Sequence, residues 1–418
     1  MAKYNILVVP SDDRGGVGFY RSLQPHNKLA KLFPDEFEIT IDMHPVWTNL
    51  AEFDKYNLIH LHKALFSDMA AFQAAMKYCK SKGIVTILDI DDYWALDTHH
   101  PQYMSQKMGR YDELIKNNLR LFDYITTTTQ LFADEIKKVN PNATVFVIPN
   151  AIDPTAPEFQ VNKEPNDKVR IGLVMGSSHE HDMELLKGVV NSISGDVKKK
   201  MQIVLCGFDT RGSSKLYDHR TGRVIEERPI EPKETVWYRY EQNVSDNWKL
   251  TTPQYKQFLD MFIPGSEYPS EKDEFYRRCW TKDMDHYYEH FSKIDILLAP
   301  LQRNQFNKVK SQLKCIEAGF SHTAIIASDF GPYTIDLKPY LLFGGAIDET
   351  GNAMMVKEGK DHKDWRRYIE YLVKNPDALK KLQDNLYETV REKYNLNNVT
   401  KNRAEIYRTL IEANKKAE

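Results

Sequence analysis

The stretch FNKVKSQLKCIEAGFSHTAIIASDFGPY, Phe306 to Tyr333, decides how this chain is read. It runs as a basic loop, a helix, a closing glycine at Gly319, a short apolar strand from Ala324 to Ala327 and a second turn. Helical spacing places Lys310, Lys314 and Glu317 (i, i+4, i+7) on one face, with Ser311 beside them. Two ammonium groups at a helix start can hold a diphosphate, helped by free backbone N–H groups and the positive dipole end. A carboxylate two turns on can accept hydrogen bonds from a ribose diol. This order of groups points to a nucleoside-diphosphate site. A solvated helix face with Lys314 paired to Glu317 would give the same pattern, so the preceding segment matters. Ile294–Pro300, IDILLAP, is almost continuously apolar, as a strand buried on both faces requires. A charged helix reached from it across LQRNQFN starts at the carboxyl end of a parallel sheet, where open α/β sheets bind ligands.

Outward from this block, apolar runs alternate with amphipathic stretches. YNILVVP (4–10), FEITID (37–42), NLIHLH (57–62), IVTILDI (84–90), DYITTTT (123–129) and TVFVIP (144–149) read as strands. Asp68 to Lys82 and Tyr111 to Phe122 read as helices between them. VRIGLVMG (169–176), MQIVLCG (201–207), IDILLAP and TAIIAS form a second series after the Pro-, Asn- and charge-rich linker 150–168. The fold class is therefore α/β, with two doubly wound Rossmann-like domains facing across a cleft. The expected division is 1–160, then 161–395 with an insertion at about 208–276, then a helical segment 396–418 returning to the first domain. The insertion, too long for an ordinary loop and rich in aromatics, is expected to hold short helices packed beside the second sheet.

Composition bounds the rest. The chain has 418 residues, 41% of them apolar, enough for two cores. No run of 18 or more apolar residues marks a membrane span, and MAKYNILVVPSDD enters a strand without the features of a signal peptide. Cys79, Cys206, Cys279 and Cys315 lack metal-type spacing and read as reduced cytosolic thiols. A formal charge of −2 gives no global drive toward nucleic acid, although the stretch from Arg391 to Lys416 is basic and helical in pattern.

Three further segments carry candidate chemistry. SDDRGGVGFYRS places Gly15, Gly16 and Gly18 after the first strand, where a ligand could approach the backbone closely, although the run fits neither a phosphate-cradling nor a dinucleotide fingerprint. Gly176, Ser177 and His179 form a second turn, at the start of a helical stretch expected over His181 to Ile193. ILDIDDYW clusters Asp89, Asp91 and Asp92 at a strand end, a pattern that suits sugar-hydroxyl contacts, a general base, a metal or a simple cap. His60 and His62 share one strand face, and His62 lies nearer the carboxyl end.

These residues together carry a resemblance. The chain resembles a GT-B glycosyltransferase of the family 4 (group 1) type, in a branch with DIDD-W (Asp89–Trp94), GS-xH-xxD (Gly176–Asp182) and FN-xxKS-xxK-xxEAG (Phe306–Gly319) patterns. VIPNAID (147–153), IASDFGPY (326–333) and the C-terminal WRRYIEYLVKNPDALKKL also look like the family's segments. The resemblance implies a retaining transferase taking a nucleotide-diphosphate sugar in the second domain and a glycan or lipid-linked glycan acceptor in the first. It implies Gly176, Ser177, His179, Lys310, Ser311 and Lys314 as diphosphate ligands and Glu317, the second Glu of the family's Glu-x7-Glu motif, as ribose contact. Val309 stands where the first Glu would be, which puts the usual contact to the transferred sugar in doubt. Asp91, Asp92 and His62 are expected to orient the acceptor or the sugar, and Gly15 and Gly16 to admit a phosphate or the acceptor. No cofactor beyond the nucleotide-sugar co-substrate and no metal is expected, since lysines replace Mg²⁺. The implied task is surface polysaccharide assembly in the cytoplasm or at the inner membrane face. Two alternatives are a phage-type transferase acting on hydroxymethylated DNA bases, which Arg277, Arg278, Lys282 and the basic tail keep open, and a non-catalytic nucleotide-sugar-binding protein, motivated by Val309.

Overall fold

The computed structural model describes residues 4–66, 68–209, 213–218, 223–246 and 274–415. Six parallel strands form a first sheet: β1 (Tyr4–Val9), β2 (Phe37–Ile41), β3 (Leu58–His62), β4 (Val85–Asp89), β5 (Tyr124–Thr127) and β6 (Thr144–Val147), in the order β2-β1-β3-β4-β5-β6. Six more form a second: β7 (Val169–Val174), β8 (Met201–Phe208), β11 (Tyr276–Trp280), β12 (Ile296–Ala299), β13 (Ala324–Ser328) and β14 (Met354–Val356), in the order β11-β8-β7-β12-β13-β14. That second order is the doubly wound 3-2-1-4-5-6 arrangement. Alternate residues face opposite sides, so both faces are covered. Ile171, Leu173, Ile203 and Leu205 enter one apolar cluster, while Val174, Val204 and Cys206 enter the other.

All ten strands expected from apolar runs are present, with ends shifted by one or two residues. β11 and β14 were not anticipated, because YRRCW interrupts its apolar residues with arginines and MMV is only three residues long. The described part of the inserted segment holds a hairpin besides a helix of the expected kind. Its first part pairs β9 (Ser213–Tyr217) with β10 (Val224–Pro229) as an antiparallel hairpin, and one helix, Val236–Val244, follows. Trp237 and Tyr240 on that helix enter the second domain's core, while the rest of the expected insertion, 247–273, lies outside the described residues. The helix expected over His181 to Ile193 shrinks to a single α-turn, Glu180–Met183, and a 3₁₀ turn, Glu184–Leu186. Gly188, at φ +68°, ends any continuation.

The C-terminal helix Leu396–Lys415 packs on the first sheet, where Ala404, Tyr407, Leu410 and Ile411 join Ile6, Val8 and Leu29. Main-chain bonds from Ile152 N to the Tyr394 carbonyl (3.0 Å) and from Leu396 N to the Ile152 carbonyl (2.8 Å) fix where the chain crosses back. Among the described residues no helix is long and apolar enough to cross a membrane.

Gly319 does not end its helix. It lies inside Leu313–Phe320, with normal helical backbone, where a Cβ would stand 2.4 Å from Val390 Cγ2 and 3.1 Å from the Leu386 carbonyl oxygen. The glycine lets this helix lie close against Pro376–Val390. Gly319→Ala should therefore destabilise the protein by roughly 1–3 kcal/mol through overpacking, despite alanine's better helix propensity. Urea unfolding of the two proteins checks this, and a stabilised variant would refute the close-packing account.

Candidate functional site

In each sheet the strand order reverses beside one strand pair, β1/β3 in the first and β7/β12 in the second. Ligands of open α/β sheets bind outside the carboxyl ends of strands at such points. Both switch points open on one interlobe cleft of ≈ 580 Å³. Of the residues singled out from sequence, Gly16, Asp91, Asp92, Gly176, Ser177, His179, Lys310, Ser311 and Lys314 line it. Gly15, Gly18, His62 and Glu317 do not.

On the second domain's side, Lys310 and Ser311 lie in the turn between two helices, Gln305–Lys308 and Leu313–Phe320, rather than on the second helix. The shared i, i+4, i+7 face therefore reduces to Lys314 and Glu317. Lys314 donates to Glu317 Oε2 at 3.0 Å and to the Tyr287 hydroxyl at 2.6 Å. Burial disfavours its charge, yet Glu317 outweighs that and holds its pKa above the ordinary lysine value. Lys310 differs. Its ammonium sits 4.8 Å over the Phe306 ring and forms no ion pair among the described residues, and burial pushes its pKa below the ordinary value. A half-buried cation without a contacting carboxylate is costly unless an anion fills the space beside it.

The turn Gly176–His179 lies against Lys310. His179 and Asp182 are 2.8 Å apart, and Asp182 also accepts from Gln302 N (2.8 Å) and Asn307 Nδ2 (2.9 Å). Burial and then Lys310 press the His179 pKa below the ordinary histidine value. The Tyr240 hydroxyl donates to the Gly176 carbonyl (2.9 Å) and accepts from His179 N (3.0 Å), bracing the turn from the inserted helix. Glu317 is 1% exposed, and the Tyr20 hydroxyl from the first domain reaches its Oε1 at 3.2 Å.

On the first domain's side, Lys63 and Ala64 follow β3 with positive φ (61° and 48°), a strained pair at a strand end. This geometry aims Lys63 at Asp91 (3.2 Å) and Asp92 (2.9 Å). His62, 2% exposed, lies 2.7 Å from Ser11 Oγ through Nδ1 and 3.1 Å from Asp91 Oδ1 through Nε2. Burial opposes ionisation of Asp91, but Lys63 and His62 overcome it and hold the carboxyl far below the usual range. Asp89, third of the aspartates, is fully buried and bonded twice by Arg21, at 2.9 and 2.6 Å. Its place is structural. His60 is sealed as well, and burial pushes its pKa down to about 3.

The glycine loop is built around Asp12, whose carboxylate accepts the N–H groups of Gly15 and Gly18. None of the three glycines has positive φ. At Gly18 a Cβ would meet the Asp12 carbonyl at 2.0 Å, so close approach is what excludes side chains there. Sequence reasoning missed Tyr20, Arg21, Tyr240 and Asn150. Asn150 lay inside the motif VIPNAID and could have been marked; its Nδ2 donates to Ser311 Oγ at 3.2 Å, across the lobes. A second cavity of ≈ 360 Å³ adjoins on the first domain's side, sharing Asp92, His100, Gln102 and Phe306 with the cleft and adding Leu65, Ile90 and Tyr111.

No protein-family profile matches the chain, and no curated protein matches it. Solved structures match over nearly its whole length. HepE from Anabaena in complex with UDP-glucose is 10% identical, with TM-score 0.57, covering 98% of this chain and 100% of that one. Sucrose-phosphate synthase from Thermosynechococcus elongatus is 13% identical, with TM-score 0.61 and the same coverage of 98% and 100%. An α-glucosyltransferase in complex with UDP and a 13-mer DNA containing a HMU base is 11% identical, with TM-score 0.52, covering 97% and 98%. These are GT-B glycosyltransferases, and this chain has the GT-B fold.

Asp89 gives a testable consequence. Burial works against its charge, the paired Arg21 overrides burial, and the folded pKa lies well below the ordinary carboxyl value. A depressed carboxyl pKa contributes stability above the unfolded pKa, near 4, and that contribution drains away as pH falls toward the folded value. Asp89→Asn should be destabilised by about 3–5 kcal/mol at pH 7, leaving Arg21 unpaired. Its stability should also fall less steeply between about pH 4 and 3, by up to about 1.4 kcal/mol per pH unit. Urea midpoints measured against pH read both effects.

Proposed function

We propose that the chain is a retaining glycosyltransferase that moves a sugar from a nucleoside-diphosphate sugar to a glycan or lipid-linked glycan, as in surface polysaccharide assembly. The observation that carries this reading is Lys310, a half-buried ammonium in the cleft with the Gly176–His179 turn, which makes no ion pair among the described residues and feels Asp182 and Asp92 only at longer range. The breaking glycosidic bond leaves growing negative charge on the nucleoside diphosphate. Lys310, Lys314, Ser311 and the backbone N–H groups of the turn would neutralise it in a water-poor cleft, with no metal needed. Glu317 would take the ribose. Because Tyr20 belongs to the first domain, opening the lobes would withdraw its hydroxyl from Glu317 and free the carboxylate for the nucleotide. Asp91, kept ionised by Lys63 and His62, and Asp92 would orient the acceptor or sugar hydroxyls. In front-face attack within an ion pair no enzymic nucleophile is required.

The ≈ 360 Å³ cavity would take the acceptor. Beside it, Met104 and Met108 of the helix Tyr103–Met108 are 62% and 80% exposed, which suits an enzyme working in the cytoplasm at the inner membrane face on a lipid-linked acceptor. A second reading, transfer to a modified base in DNA, is favoured by the likeness to the α-glucosyltransferase solved with DNA. Three of the basic residues that kept it open count against it. Arg277 and Arg278 are buried and bonded to Glu164 and Glu241, and Lys282 pairs with Glu289.

Thermal-shift and calorimetric titration with UDP, GDP and dTDP tests the donor assignment. One of these should bind the wild type, and Lys310→Ala should weaken it by about 1.5–3 kcal/mol, roughly 10- to 150-fold, without lowering the melting temperature. Equal affinity in the variant would sink the diphosphate site. Binding without turnover of any nucleotide sugar across a panel of acceptors would point instead to a non-catalytic binder.

A further inference from the structure

Beside the cleft, Asp97, His99 and His181 converge from the two lobes. Asp97 and His99 belong to the loop after β4, and His181 to the short turn after β7. One ligand atom from each lies within 4.8 Å of the others. Asp97 Oδ1 stands 2.9 Å from His99 Nδ1 and 3.5 Å from His181 Nδ1. The two imidazoles stack with centroids 4.0 Å apart and planes 30° from parallel.

A plain ion-pair account fits this arrangement poorly. Two imidazolium rings stacked face to face repel, and a single carboxylate oxygen between them cannot satisfy both at short range. With both rings neutral, one nitrogen of each and one Asp97 oxygen still gather within 4.8 Å, and that oxygen also accepts the His99 backbone N–H at 3.0 Å. For bonds of about 2.0–2.1 Å, tetrahedral ligand atoms lie about 3.3–3.4 Å from one another, and the two Asp97–histidine pairs, at 2.9 and 3.5 Å, fall on either side of that spacing. A separate feature points the same way. The outer nitrogen of His181, Nε2, faces Glu184 Oε2 at 3.8 Å. A metal-bound histidine characteristically donates its other N–H to such a carboxylate, which fixes the tautomer and strengthens the ligand.

We propose that Asp97, His99 and His181 form a clasp for a divalent transition metal, with Zn²⁺ the fitting ion, that ties the two lobes together at the rim of the cleft. Neutral imidazole and carboxylate are borderline donors suited to zinc, and three protein ligands leave a fourth position for water. His99 is 61% exposed, so the ion reaches the site from solvent. His99 precedes His100, and His181 lies two residues after His179, both of which line the cleft. A bound ion therefore sets the separation of the walls between which the donor would lie. The clasp takes no part in the proposed transfer step.

The test uses the full chain without nucleotide, which keeps it independent of the donor assignment. Calorimetric titration with Zn²⁺, and with Co²⁺ read by visible absorption, should show one site per chain. His99→Ala and His181→Ala should each abolish it while leaving the metal-free melting temperature unchanged, since both side chains are partly exposed. Glu184→Gln should weaken it ~10-fold. No saturable binding by the wild type, or binding unaltered in the His99→Ala/His181→Ala double variant, overturns the site. Binding that survives His181→Ala alone overturns the bridge between lobes.

Discussion

One guanidinium, shut away from water, holds the binding edges of both lobes in register. Arg21 is 1% exposed and meets Asp89 at the end of β4 through two bonds. Its remaining nitrogen donates to the Ile148 carbonyl (2.7 Å) and to Asn150 Oδ1 (3.1 Å) in the linker. Asn150 in turn donates to Ser311, next to Lys310. Thus a single relay runs from the first sheet through the start of the linker to the turn that carries Lys310. Such a buried pair adds little net stability over an apolar replacement, but removing one member leaves a charge stranded at a cost of about 3–5 kcal/mol. The relay's value lies in position. The loop carrying Asp91 and Asp92 leaves β4 directly after Asp89, so its origin is set by the same contact.

How much of this was legible depended on the range of the interaction. Strands announce themselves as apolar runs, and ten were readable, including the more exposed edge strands β2 and β6. β11 was not, because its arginines find carboxylates, Glu164 and Glu241, that no periodicity reveals. The residue types of the 306–319 block were readable while their geometry was not. Lys310 and Ser311 sit one turn before the helix, since the chain passes through a 305–308 turn and restarts at Leu313. Tyr20 with Glu317 and Asn150 with Ser311 are pairs 297 and 161 residues apart, and only folding brings them together.

Val309 shows sequence and packing agreeing where a motif is broken. The side chain is fully buried and joins the first domain's apolar cluster, with Ile90 and Trp94, across the lobe boundary. A carboxylate there would lose its hydration without a cation to replace it, at a cost of several kcal/mol. The apolar residue instead helps seat the 306–312 segment against the first domain, together with Phe306, whose ring meets His100 at 5.6 Å. Under the proposed function, recognition of a transferred sugar would then come from elsewhere in the cleft, whose lining carboxylates, Asp91 and Asp92, are on the first domain.

The distribution of compensated charge supports that assignment. Asp91 faces the cleft, yet Lys63 pairs with it and His62 is hydrogen-bonded to it, so it offers acceptor lone pairs to hydroxyls without strongly repelling a diphosphate. Lys314 is likewise balanced by Glu317. Lys310 alone among these groups touches no counter-ion among the described residues, and it shares the cleft with a turn whose Gly176 carbonyl and His179 N–H are tied to Tyr240. A ligand that carried no negative charge would leave that ammonium as costly as before. A neutral sugar with a doubly charged leaving group matches both halves: paired carboxylates for the hydroxyls, and an unpaired cation that becomes most favourable as the bond to the phosphate breaks.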